Sequence, residues 1–493
     1  MKKLLFLIIA AACIIASCSK DDRFDTGLFP ANALNKAIPS HVPVIVVPPD
    51  ADGDGDDTDD LLTAIEGSEP GSVIKLLEGE YHLRYMEIID FNVSIIGAGK
   101  DKTIIYPKTP LAEKIQLDAN QIPCWLRVIG GEVCIAEMTF STDVPEPIQD
   151  YPDEPSLGKD LPTIFAFADY TDKFRPDNSY LKIVVRNVNF IGGTDDAAGP
   201  GWMTDHNTLM GIWCGPDFFW PLEGIEYPLI KGEFTITGCH FDHFLDDIEG
   251  FGLGENAIMS VASSKFDNSW APLYFTANYN SKINICNNVF SGSTFFSDVI
   301  IEDIDFGILS NSNIQPVKRC QYILTGNVFH DMYPISSVLL WDTWVAIDPA
   351  ERLPMLPILK GNIFNLTGGS TGITVYNSQD AVISNNRFTG SCTAGIMIDG
   401  VTTDRYGTPL PNEVFAKNAL VLGNNFSGLE PSTAAIVLGE KSMNCTVVGT
   451  GKEKVIDNGV NNKITGIRKV PGDFHFGPTL RDNSGMWRGM RHR

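Results

Sequence analysis

Short runs in which apolar and polar residues alternate recur along most of the chain. Examples are KIVV, EFTI, KINI and YILT, and their period of two is typical of a strand with one buried face. Each run leads into a four-residue phrase that ends in phenylalanine, at Phe190, Phe241, Phe266, Phe290, Phe329, Phe364, Phe388 and Phe426. The residue three before each phenylalanine is Gly, Asn or Ser in all eight phrases. Because Gly and Asn tolerate left-handed backbone angles, these positions predict tight corners between strands.

Five of the phrases also carry an asparagine two residues before the phenylalanine. These residues are Asn288, Asn327, Asn362, Asn386 and Asn424. Identical side-chain amides that stack at strand spacing can hydrogen-bond to one another along a ladder. We therefore expect the five asparagines to lie in one column, beside the column of phenylalanines.

The repeat length indicates a solenoid. The closest phenylalanines are 25 or 24 residues apart (241 to 266, 266 to 290 and 364 to 388), while intervals of 39, 35, 38 and 51 fit either a coil with an insertion or two coils. A propeller blade needs about 40 or more residues, and leucine-rich repeats would show a helical period that is missing here. The predicted fold class is all-β: a single-stranded right-handed parallel β-helix with a short N-terminal capping helix and long loop insertions.

An aspartate-rich stretch, DADGDGDDTDDL, begins at residue 50, and the sequence turns apolar where it ends. Read as a calcium loop, it places Asp50, Asp52, Asp54 and Gly55 at positions 1, 3, 5 and 6, but Leu61 stands at position 12. A bidentate glutamate normally closes the calcium shell at that position. The pattern therefore disfavours a calcium loop here.

The same stretch, GDGDDTDDLLTAIEGSEPGSVIKLLEGEYHL, resembles the opening segment of the pectin-lyase-like β-helix superfamily. There, a Gly-Asp-Gly and Asp-Asp-Thr phrase precedes a short helix and a strand that ends in Gly-x-Tyr. The run VSIIGAGKDKTII at 93–105 continues as the next coil does in that superfamily. The resemblance implies a right-handed parallel β-helix over 48–470. We expect the helix, DDLLTAI, to be N-capped by Thr58 or Asp59 and to cover the open end of the solenoid.

The N-terminal sequence predicts export and lipid attachment. MKKLLFLIIAAACIIAS is a charged and then apolar leader, too short for a comfortable membrane span, and IASC resembles the lipobox of bacterial lipoproteins. The predicted organisation is a signal peptide (1–17), a lipidated N-terminus and linker (18–47) with lipid on Cys18, the β-helix (48–470) and a C-terminal tail (471–493). The expected location is the bacterial outer membrane, lipid-anchored and at the cell surface. The alternative is an ordinary secretory leader.

The net charge and the cysteine pattern limit which partners and metals the protein is expected to bind. The chain has 493 residues and a formal net charge of −24, which repels nucleic acid, so no nucleic-acid partner is expected. The only membrane contact predicted is through the N-terminal lipid. Eight widely spaced cysteines follow Cys18 without a CxxC pair, which disfavours zinc and leaves their pairing open.

Three long insertions, at 141–180, 193–230 and 330–356, are the places where loops could build a cleft on the wall of the solenoid. The second insertion is the richest in aromatic and polar residues. We predict that it binds substrate through Trp202, His206, Trp213 and Trp220, since flat aromatic faces suit sugar rings. The alternative is that these aromatic residues form a small core of the insertion itself.

Two pairs of aspartates are the candidate catalytic groups. Asp195 and Asp196 lie five and six residues after Phe190, and Asp246 and Asp247 lie five and six residues after Phe241. Equal offsets predict that the two pairs occupy the same place in their coils. Their carboxylates would then lie ~5 Å apart if the two coils are neighbours, or ~10 Å apart if one coil lies between them. Such separations suit retaining and inverting glycosidases, and crowding raises some carboxyl pKa values.

His243 is the candidate proton carrier beside these aspartates. Solvated or backbone-capping aspartates, or aspartates that bind calcium, are the alternatives. The polygalacturonase branch of the superfamily combines Asp pairs with Gly-His-Gly and Arg-x-Lys, and this chain has GTDD and LDDI but neither of the other two motifs. The predicted partner is a polysaccharide. The predicted function is a glycoside hydrolase or polysaccharide lyase without a cofactor, calcium being the alternative, and the rival function is a non-catalytic glycan-binding adhesin.

Overall fold

The computed structural model describes most of the predicted solenoid. Its described residues are 42–50, 53, 55–107, 124–142, 163–169, 180–192, 210–216, 230–244, 246–254, 256–276, 278, 280–292, 297–303, 319–330, 336–342, 355–368, 371–402, 409–410, 412–449 and 453–470. Cys18 and the predicted tail at 471–493 lie outside these residues. No helix within them is long and apolar enough to cross a membrane.

The described part of the chain contains helix α1 at Thr58–Glu66 and strands throughout the remainder. In chain order the strands are β1 Val44–Val47, β2 Ser72–Leu76, β3 Gly79–Leu83, β4 Met86–Ile89, β5 Val93–Ile96, β6 Thr103–Pro107, β7 Cys124–Ile129, β8 Gly131–Ser141, β9 Thr163–Asp169, β10 Leu181–Ile191, β11 Met210–Pro216, β12 Gly232–Thr237, β13 His240–Asp242, β14 Asp246–Phe251, β15 Ile258–Ala262, β16 Lys265–Asp267, β17 Leu273–Thr276, β18 Lys282–Cys286, β19 Val289–Ser291, β20 Val299–Asp303, β21 Gln321–Thr325, β22 Val328–His330, β23 Ser336–Asp342, β24 Leu356–Lys360, β25 Ile363–Thr367, β26 Thr371–Tyr376, β27 Val382–Ser384, β28 Arg387–Asp399, β29 Ala416–Lys417, β30 Leu420–Leu422, β31 Asn425–Leu438, β32 Ser442–Met443, β33 Thr446–Val448, β34 Lys454–Asp457, β35 Lys463–Thr465 and β36 Arg468–Val470.

The strands form three parallel sheets that wrap around one apolar core, and each coil of the chain passes through sheets A, B and C in turn. Sheet A holds β1, β2, β5, β12, β15, β18, β21, β24, β27, β30, β33, β35 and the first halves of β8 and β10. Sheet B holds β3, β6, β13, β16, β19, β22, β25, the second halves of β8 and β10 and the first halves of β28 and β31. Sheet C holds β4, β7, β9, β11, β14, β17, β20, β23, β26, β34, β36 and the second halves of β28 and β31. A separate two-stranded sheet joins β29 and β32.

The predicted phenylalanine column is present in sheet B. The eight phenylalanines are buried and stack ring on ring, with centroids 4.5 to 5.2 Å apart and ring planes within 12° of parallel. Phe140, one coil earlier, stacks on Phe190 at 6.1 Å. Successive phenylalanines lie opposite each other in neighbouring strands, so the long sequence intervals are single coils with insertions, not two coils.

The predicted corners and the asparagine ladder are also confirmed. All eight corner residues have left-handed backbone angles, with φ between 51° and 68°. The five asparagines are buried, and the side-chain NH₂ of each of the first four donates to the side-chain oxygen of the next asparagine at 2.9 to 3.1 Å. Each amide also donates to a main-chain carbonyl of sheet A, as Asn362 does to Leu324 O at 3.0 Å. The ladder therefore satisfies backbone groups that the corners leave without a strand partner.

Helix α1 covers the N-terminal end of the core, as predicted, through Leu61, Ala64 and Ile65. The predicted N-cap was wrong: the helix begins at Thr58, and the N-cap is Asp57. The Asp57 carboxylate does not cap the helix with its side chain. Instead it accepts the main-chain N–H groups of Asp50 at 2.5 Å and His82 at 2.6 Å, and so ties the acidic segment to β3.

The predicted boundaries need two corrections. The described solenoid begins ahead of residue 48, because β1 already pairs with β2 in sheet A. In addition, each of the three predicted insertions contains a strand of sheet C, namely β9, β11 and β23. These strands read as continuous apolar runs without alternation, since sheet C is buried on both of its faces.

All eight cysteines after Cys18 lie in the described residues as thiols rather than disulfides, and all except Cys286 are buried. The leading cause of the raised pKa of Cys134, about 11, is burial. Cysteines in this solenoid therefore act as small apolar core residues, in agreement with their positions within apolar runs.

We predict that Asn362→Ala costs about 2–4 kcal/mol, because it removes two donated and two accepted hydrogen bonds at a buried site. The variant leaves the main-chain N–H of Asn327 without its acceptor and removes one donor from Leu324 O and one from the side-chain oxygen of Asn386, which keeps the main-chain N–H of residue 362. The measurement is the midpoint of chemical unfolding, followed by circular dichroism.

The matched control is Asn365→Ala in the same coil. Asn365 lies on the outward face of sheet B, where it contacts His330 and accepts a hydrogen bond from Thr389 at 2.7 Å. Since water can replace these contacts, the control should cost less than about 1 kcal/mol. Equal losses in the two variants would contradict a structural role for the ladder.

Candidate functional site

The outward face of sheet C lies where the long insertions join the solenoid. Residues 108–123, 143–162 and 193–209 directly precede its strands β7, β9 and β11, and residues 217–229, 304–318 and 343–354 directly follow β11, β20 and β23. Loops that connect to one face of a rigid scaffold are the usual place for binding and catalytic groups. We therefore take this face, and the corner where sheet B turns into it, as the candidate functional site.

Strand β14 places carboxyl groups on this face. A side chain at Gly211, opposite Asp247, would meet the interior ring of Phe241, so Asp247 points inward. The positions equivalent to Asp246 in later coils, Ala394 and Ala434, pack in the outward cluster with Met397 and Val437, so Asp246 points outward, as Glu249 does. All three carboxyl groups are buried. The predicted pair of Asp246 and Asp247 therefore does not share a face: Asp246 lies on the outward side with Glu249, and Asp247 lies toward the interior.

Asp247 favours its protonated form. Burial is the largest cause of its raised pKa, which lies well above the usual value for an aspartate, and the negative charges of Asp246, Asp242 and Asp267 raise it further. A hydrogen bond from Ser269 Oγ to Asp247 Oδ1, 2.7 Å long, acts in the opposite direction. Asp247 is thus an acid that holds its proton to a higher pH than an ordinary aspartate does.

Asp242, in contrast, favours its ionised form. It follows Phe241 on β13 and leads into the corner at His243, which has a left-handed φ of 62°. Burial alone would raise the pKa of Asp242, but His243 Nδ1, 2.7 Å from its Oδ1, and a hydrogen bond from Asn268 Nδ2 at 2.9 Å outweigh burial and lower it. Its side chain is 25% exposed, so Asp242 is an ionised carboxylate that solvent can reach.

Asp267 repeats this position one coil later, directly opposite Asp242 in the ladder. Its carboxylate lies beside Lys265 and Ser291, and His240 Nε2 is 2.8 Å from its Oδ2. Burial would raise the pKa of Asp267, but these three partners lower it. Strand spacing puts the main chains of Asp242 and Asp267 ~4.8 Å apart.

A tyrosine and a glutamate extend the outward face of sheet C. Tyr274 on β17 lies opposite Glu249, and its hydroxyl donates to Glu302 Oε2 on β20 at 3.0 Å. Both side chains are buried. The face therefore carries the carboxyl groups of Asp246, Glu249 and Glu302 and the phenol of Tyr274 within three neighbouring coils, from β14 to β20.

Trp213, predicted to bind substrate, does lie on the outward face of sheet C. Its ring stacks on Phe251 with centroids 5.7 Å apart, and its side chain is only 1% exposed. Solvent reaches neither face of the ring in this structure, so its sugar-binding role stays a prediction. The other predicted substrate and catalytic residues, Trp202, His206, Trp220, Asp195 and Asp196, lie outside the described residues.

The equal offsets of the two aspartate pairs do not correspond to equal places in the coil. The two coils are neighbours, since Phe190 pairs with Phe241. However, Met210 lies opposite Asp246, and the register puts Gly211 opposite Asp247. An insertion of unequal length separates sheet B from sheet C in the two coils, so counting from the phenylalanine fails beyond the corner.

Sequence reasoning missed Asp242 and Asp267 as site residues, although a signal was present. Each lies one residue after a repeat phenylalanine, at Phe241 and Phe266, and this offset is inside the strand and before any insertion. Tyr274 and Glu302 had no comparable signal, because sheet C strands carry no repeated phrase. No group of three or more His, Cys, Asp or Glu side chains in the described ranges is arranged to hold a metal ion.

No protein-family model matches the sequence, and no curated protein matches it. Solved structures do match the fold. The A-module of the Azotobacter vinelandii mannuronan C-5 epimerase AlgE6 has a TM-score of 0.51 and 13% identity, over 85% of this chain and 97% of that one. An N-terminal fragment of the bacteriophage Phi29 gene product 12 has a TM-score of 0.48 and 13% identity, over 85% and 64%. Polygalacturonase from Erwinia carotovora ssp. carotovora has a TM-score of 0.37 and 10% identity, over 88% and 96%.

At these identities the likeness concerns the fold alone, and it agrees with the stacked strands described above. The chain is therefore similar in architecture to the AlgE6 module and has the fold predicted from its repeats, a right-handed parallel β-helix.

Proposed function

We propose that this protein binds a polysaccharide at the corner between sheets B and C and cleaves it by proton transfer, as a glycoside hydrolase or a polysaccharide lyase. The observation that carries the proposal is the opposed titration of carboxyl groups at one corner. Asp247 has a raised pKa, whereas Asp242 and Asp267 have lowered ones. Groups whose environments separate their pKa values supply both an acid and a base in one site.

Asp247 is the proposed acid and Asp242 the proposed base. In hydrolysis, Asp247 gives its proton to the oxygen of the broken glycosidic bond, while Asp242 takes a proton from the attacking water. In elimination, Asp242 takes a proton from the carbon beside a uronate carboxylate, and Asp247 protonates the leaving oxygen. Asp267 is held by Lys265 and His240 and serves as a fixed charge that helps to keep Asp247 protonated.

A carbohydrate polymer is the proposed substrate class for two reasons. The solvent-facing groups of the corner are carboxylate, imidazole and amide groups, which hydrogen-bond to hydroxyl groups. The AlgE6 module is named for its action on mannuronan, a polysaccharide, and that name supports the class of polymer rather than a particular sugar or reaction.

A second candidate is a binding protein without catalysis, and the burial of Asp247 favours it. Its side chain has no exposed surface and points toward the phenylalanine column, so cleavage requires a local opening of the corner that binding does not require. A binding protein would need only the exposed groups, of which Asp242 and His243 are 25% and 35% exposed.

We also propose that the protein is anchored at the bacterial outer surface by lipid on Cys18. The support is the leader sequence followed by the IASC phrase. A surface anchor suits a protein whose substrate is too large to enter the cell, and the two proposals are independent of each other.

The first prediction concerns stability and needs no substrate. A raised folded-state pKa means that Asp247 stabilises the fold fully below its unfolded pKa of about 3.9, and that this stabilisation is lost as the pH rises to the folded pKa. Asp247→Asn should therefore be more stable than the natural protein at neutral pH, with a gain that shrinks to nothing in acid. Unfolding midpoints measured across this pH range test the effect.

Asp242→Asn is the matched variant of opposite sign. Because its folded pKa is lowered, Asp242 stabilises the fold above its unfolded pKa and loses this effect as the pH falls through the folded one. The variant should be less stable than the natural protein at neutral pH and equal to it in strong acid. The same sign of change in both variants would refute the assigned protonation states.

The second prediction concerns activity. On a panel of uronate and neutral polysaccharides, the natural protein should release new reducing ends. Ultraviolet absorbance of unsaturated uronate would accompany them if the reaction is an elimination. Asp247→Asn and Asp242→Asn should each lower the rate about 10²–10⁴-fold, as expected for loss of a general acid or base. Asp101→Asn, at an exposed turn between β5 and β6, is the control and should keep full activity.

Three outcomes distinguish the candidates. Glycan binding without new ends, unchanged in Asp247→Asn, would select the binding protein. Incorporation of solvent deuterium into an uncleaved uronate polymer would replace cleavage by epimerisation. Full cleavage by both corner variants would remove Asp247 and Asp242 from the mechanism.

The third prediction concerns the anchor. The natural protein, expressed in a Gram-negative host, should incorporate labelled fatty acid and fractionate with the outer membrane. Cys18→Ser should abolish both, while Cys13→Ser, within the apolar part of the leader, should leave them unchanged. If Cys18→Ser still fractionates with the outer membrane and still carries the labelled fatty acid, lipid attachment at Cys18 is excluded.

A further inference from the structure

A straight row of side chains runs along sheet C through five consecutive coils. Its members lie opposite one another in the ladder and are Thr276, Glu302, Trp341, Tyr376 and Asp399. The row spans four strand spacings, or ~19 Å. A linear polymer that lies parallel to the solenoid axis would therefore contact several members of the row at once.

The row points away from the core. The residue directly before each of its five members belongs to the interior core, and side chains alternate along a strand. In agreement, Tyr376 packs against the outward cluster that contains Met397. The row is therefore part of the outward face that joins the long insertions.

The row reaches solvent at its C-terminal end. Thr276, Glu302 and Trp341 are each at most 3% exposed, whereas Tyr376 and Asp399 are half-buried. The next position of the row is Gly439, where a side chain would collide with the Asp399 carboxylate. No side chain of the row stands beyond Asp399, so this end of the row is open to a ligand.

The Asp399 carboxylate is held through one of its oxygens. Oδ1 accepts the main-chain N–H groups of Gly400 at 2.8 Å and Lys441 at 2.9 Å. Both hydrogen bonds go to Oδ1, which leaves Oδ2 as an acceptor for a ligand. The ammonium group of Lys441 is paired with Glu413 at 2.9 Å rather than with Asp399.

Trp341 brings a hydrogen-bond donor that the described part of the chain does not use. Its Nε1 is buried and has no hydrogen-bond partner among the described residues. The indole ring packs edge-on against Tyr376, with ring centroids 5.7 Å apart and ring planes 64° apart. Buried polar groups are nearly always hydrogen-bonded, so an unused donor within this row indicates a missing acceptor.

These groups together suit a sugar. A sugar ring packs on an aromatic side chain, its hydroxyl oxygens accept from an indole N–H, and its hydroxyl hydrogens donate to a carboxylate. Tyr376, Trp341 and Asp399 supply one group of each kind, in three consecutive coils.

The charge of the face discriminates between sugars. The sheet C segments from β14 to 394–399 contain no lysine or arginine, while Asp246, Glu249, Glu302 and Asp399 lie on their outward face. A uronate brings a carboxylate of its own. On these strands that carboxylate finds no cation to pair with and is repelled by the carboxyl groups of the face.

We infer that Trp341, Tyr376 and Asp399 form a subsite for a sugar without a carboxylate, so that the polymer bound at this face is a neutral glycan. The inference rests on the proposed function for the class of ligand, a polysaccharide, and not on its cleavage. The sugar ring packs on Tyr376, one hydroxyl group donates to Asp399 Oδ2, and another accepts from Trp341 Nε1. Since elimination requires a uronate, the reaction of the proposed function is then hydrolysis.

The experiment compares two groups of probes by isothermal titration calorimetry. The neutral polymers are a soluble β-glucan, an α-glucan and a galactomannan, and the uronate polymers are alginate and polygalacturonate. The natural protein should bind at least one neutral polymer more tightly than either uronate polymer. Asp399→Asn should weaken neutral binding about tenfold and strengthen uronate binding, because it removes a charged acceptor and a like charge together.

A purely structural role of Asp399 would not move the two affinities in opposite directions. Asp101→Asn is the charge-matched control, since it removes a negative charge at the exposed turn between β5 and β6. This variant should change neither affinity.

Trp341→Phe keeps an aromatic ring and removes the N–H, and it should weaken neutral binding about tenfold. The matched control is Trp125→Phe. The Nε1 of Trp125 is likewise buried without a partner in the described residues, but its side chain belongs to the interior core, so binding should be unchanged. In protein labelled with fluorotryptophan, the fluorine signal that is lost in Trp341→Phe should shift with the neutral polymer alone.

A Trp341 signal that shifts with no neutral polymer, or that shifts as strongly with a uronate polymer, would overturn the inference. Equal weakening in Trp341→Phe and Trp125→Phe would overturn it as well. If a neutral polymer binds at Trp341 and no new reducing ends appear, cleavage fails and the subsite stands. If the protein cleaves uronate polymers alone, the proposed function stands and the subsite is wrong.

Discussion

The structure depends on the regular stacking of coils at the spacing of one β-strand. Two internal columns enforce it: phenylalanine rings that stack nearly parallel, and asparagine amides that hydrogen-bond from coil to coil. A ring or amide displaced by one residue would lose both its neighbours, and a one-residue slip would also turn the apolar face outward. Register is thus held by the interior, which frees the outward faces to carry other chemistry.

The same regularity creates the electrostatic problem at the candidate site. Carboxyl groups on neighbouring strands are forced to within about one strand spacing of each other, whether or not their charges repel. The chain settles this by giving Asp242 and Asp267 positive and hydrogen-bonding partners, while Asp247, fully buried and facing those charges, takes up a proton. An acid beside two bases is therefore a consequence of crowding on a rigid scaffold.

Sequence patterns predicted what each coil must repeat. The corner residues, the asparagine column and the phenylalanine column were all readable, because each depends on residues a few positions apart. Sheet C was not readable, since a strand buried on both faces has no alternation and looks like any short apolar run. For the same reason its strands β9, β11 and β23 were assigned to insertions.

The sequence by itself determined the fold class, the position of the corners and the columns along the axis, since these follow from local backbone preference and period. Only the tertiary structure decided which carboxyl groups meet. The insertion between sheets B and C differs in length from coil to coil, so Asp247 faces the corner of Asp242 and Asp267, and Met210 and Gly211 take the place expected for an aspartate pair. Side-chain direction and coil-to-coil register, which set distance and burial, emerge only when the chain is wound.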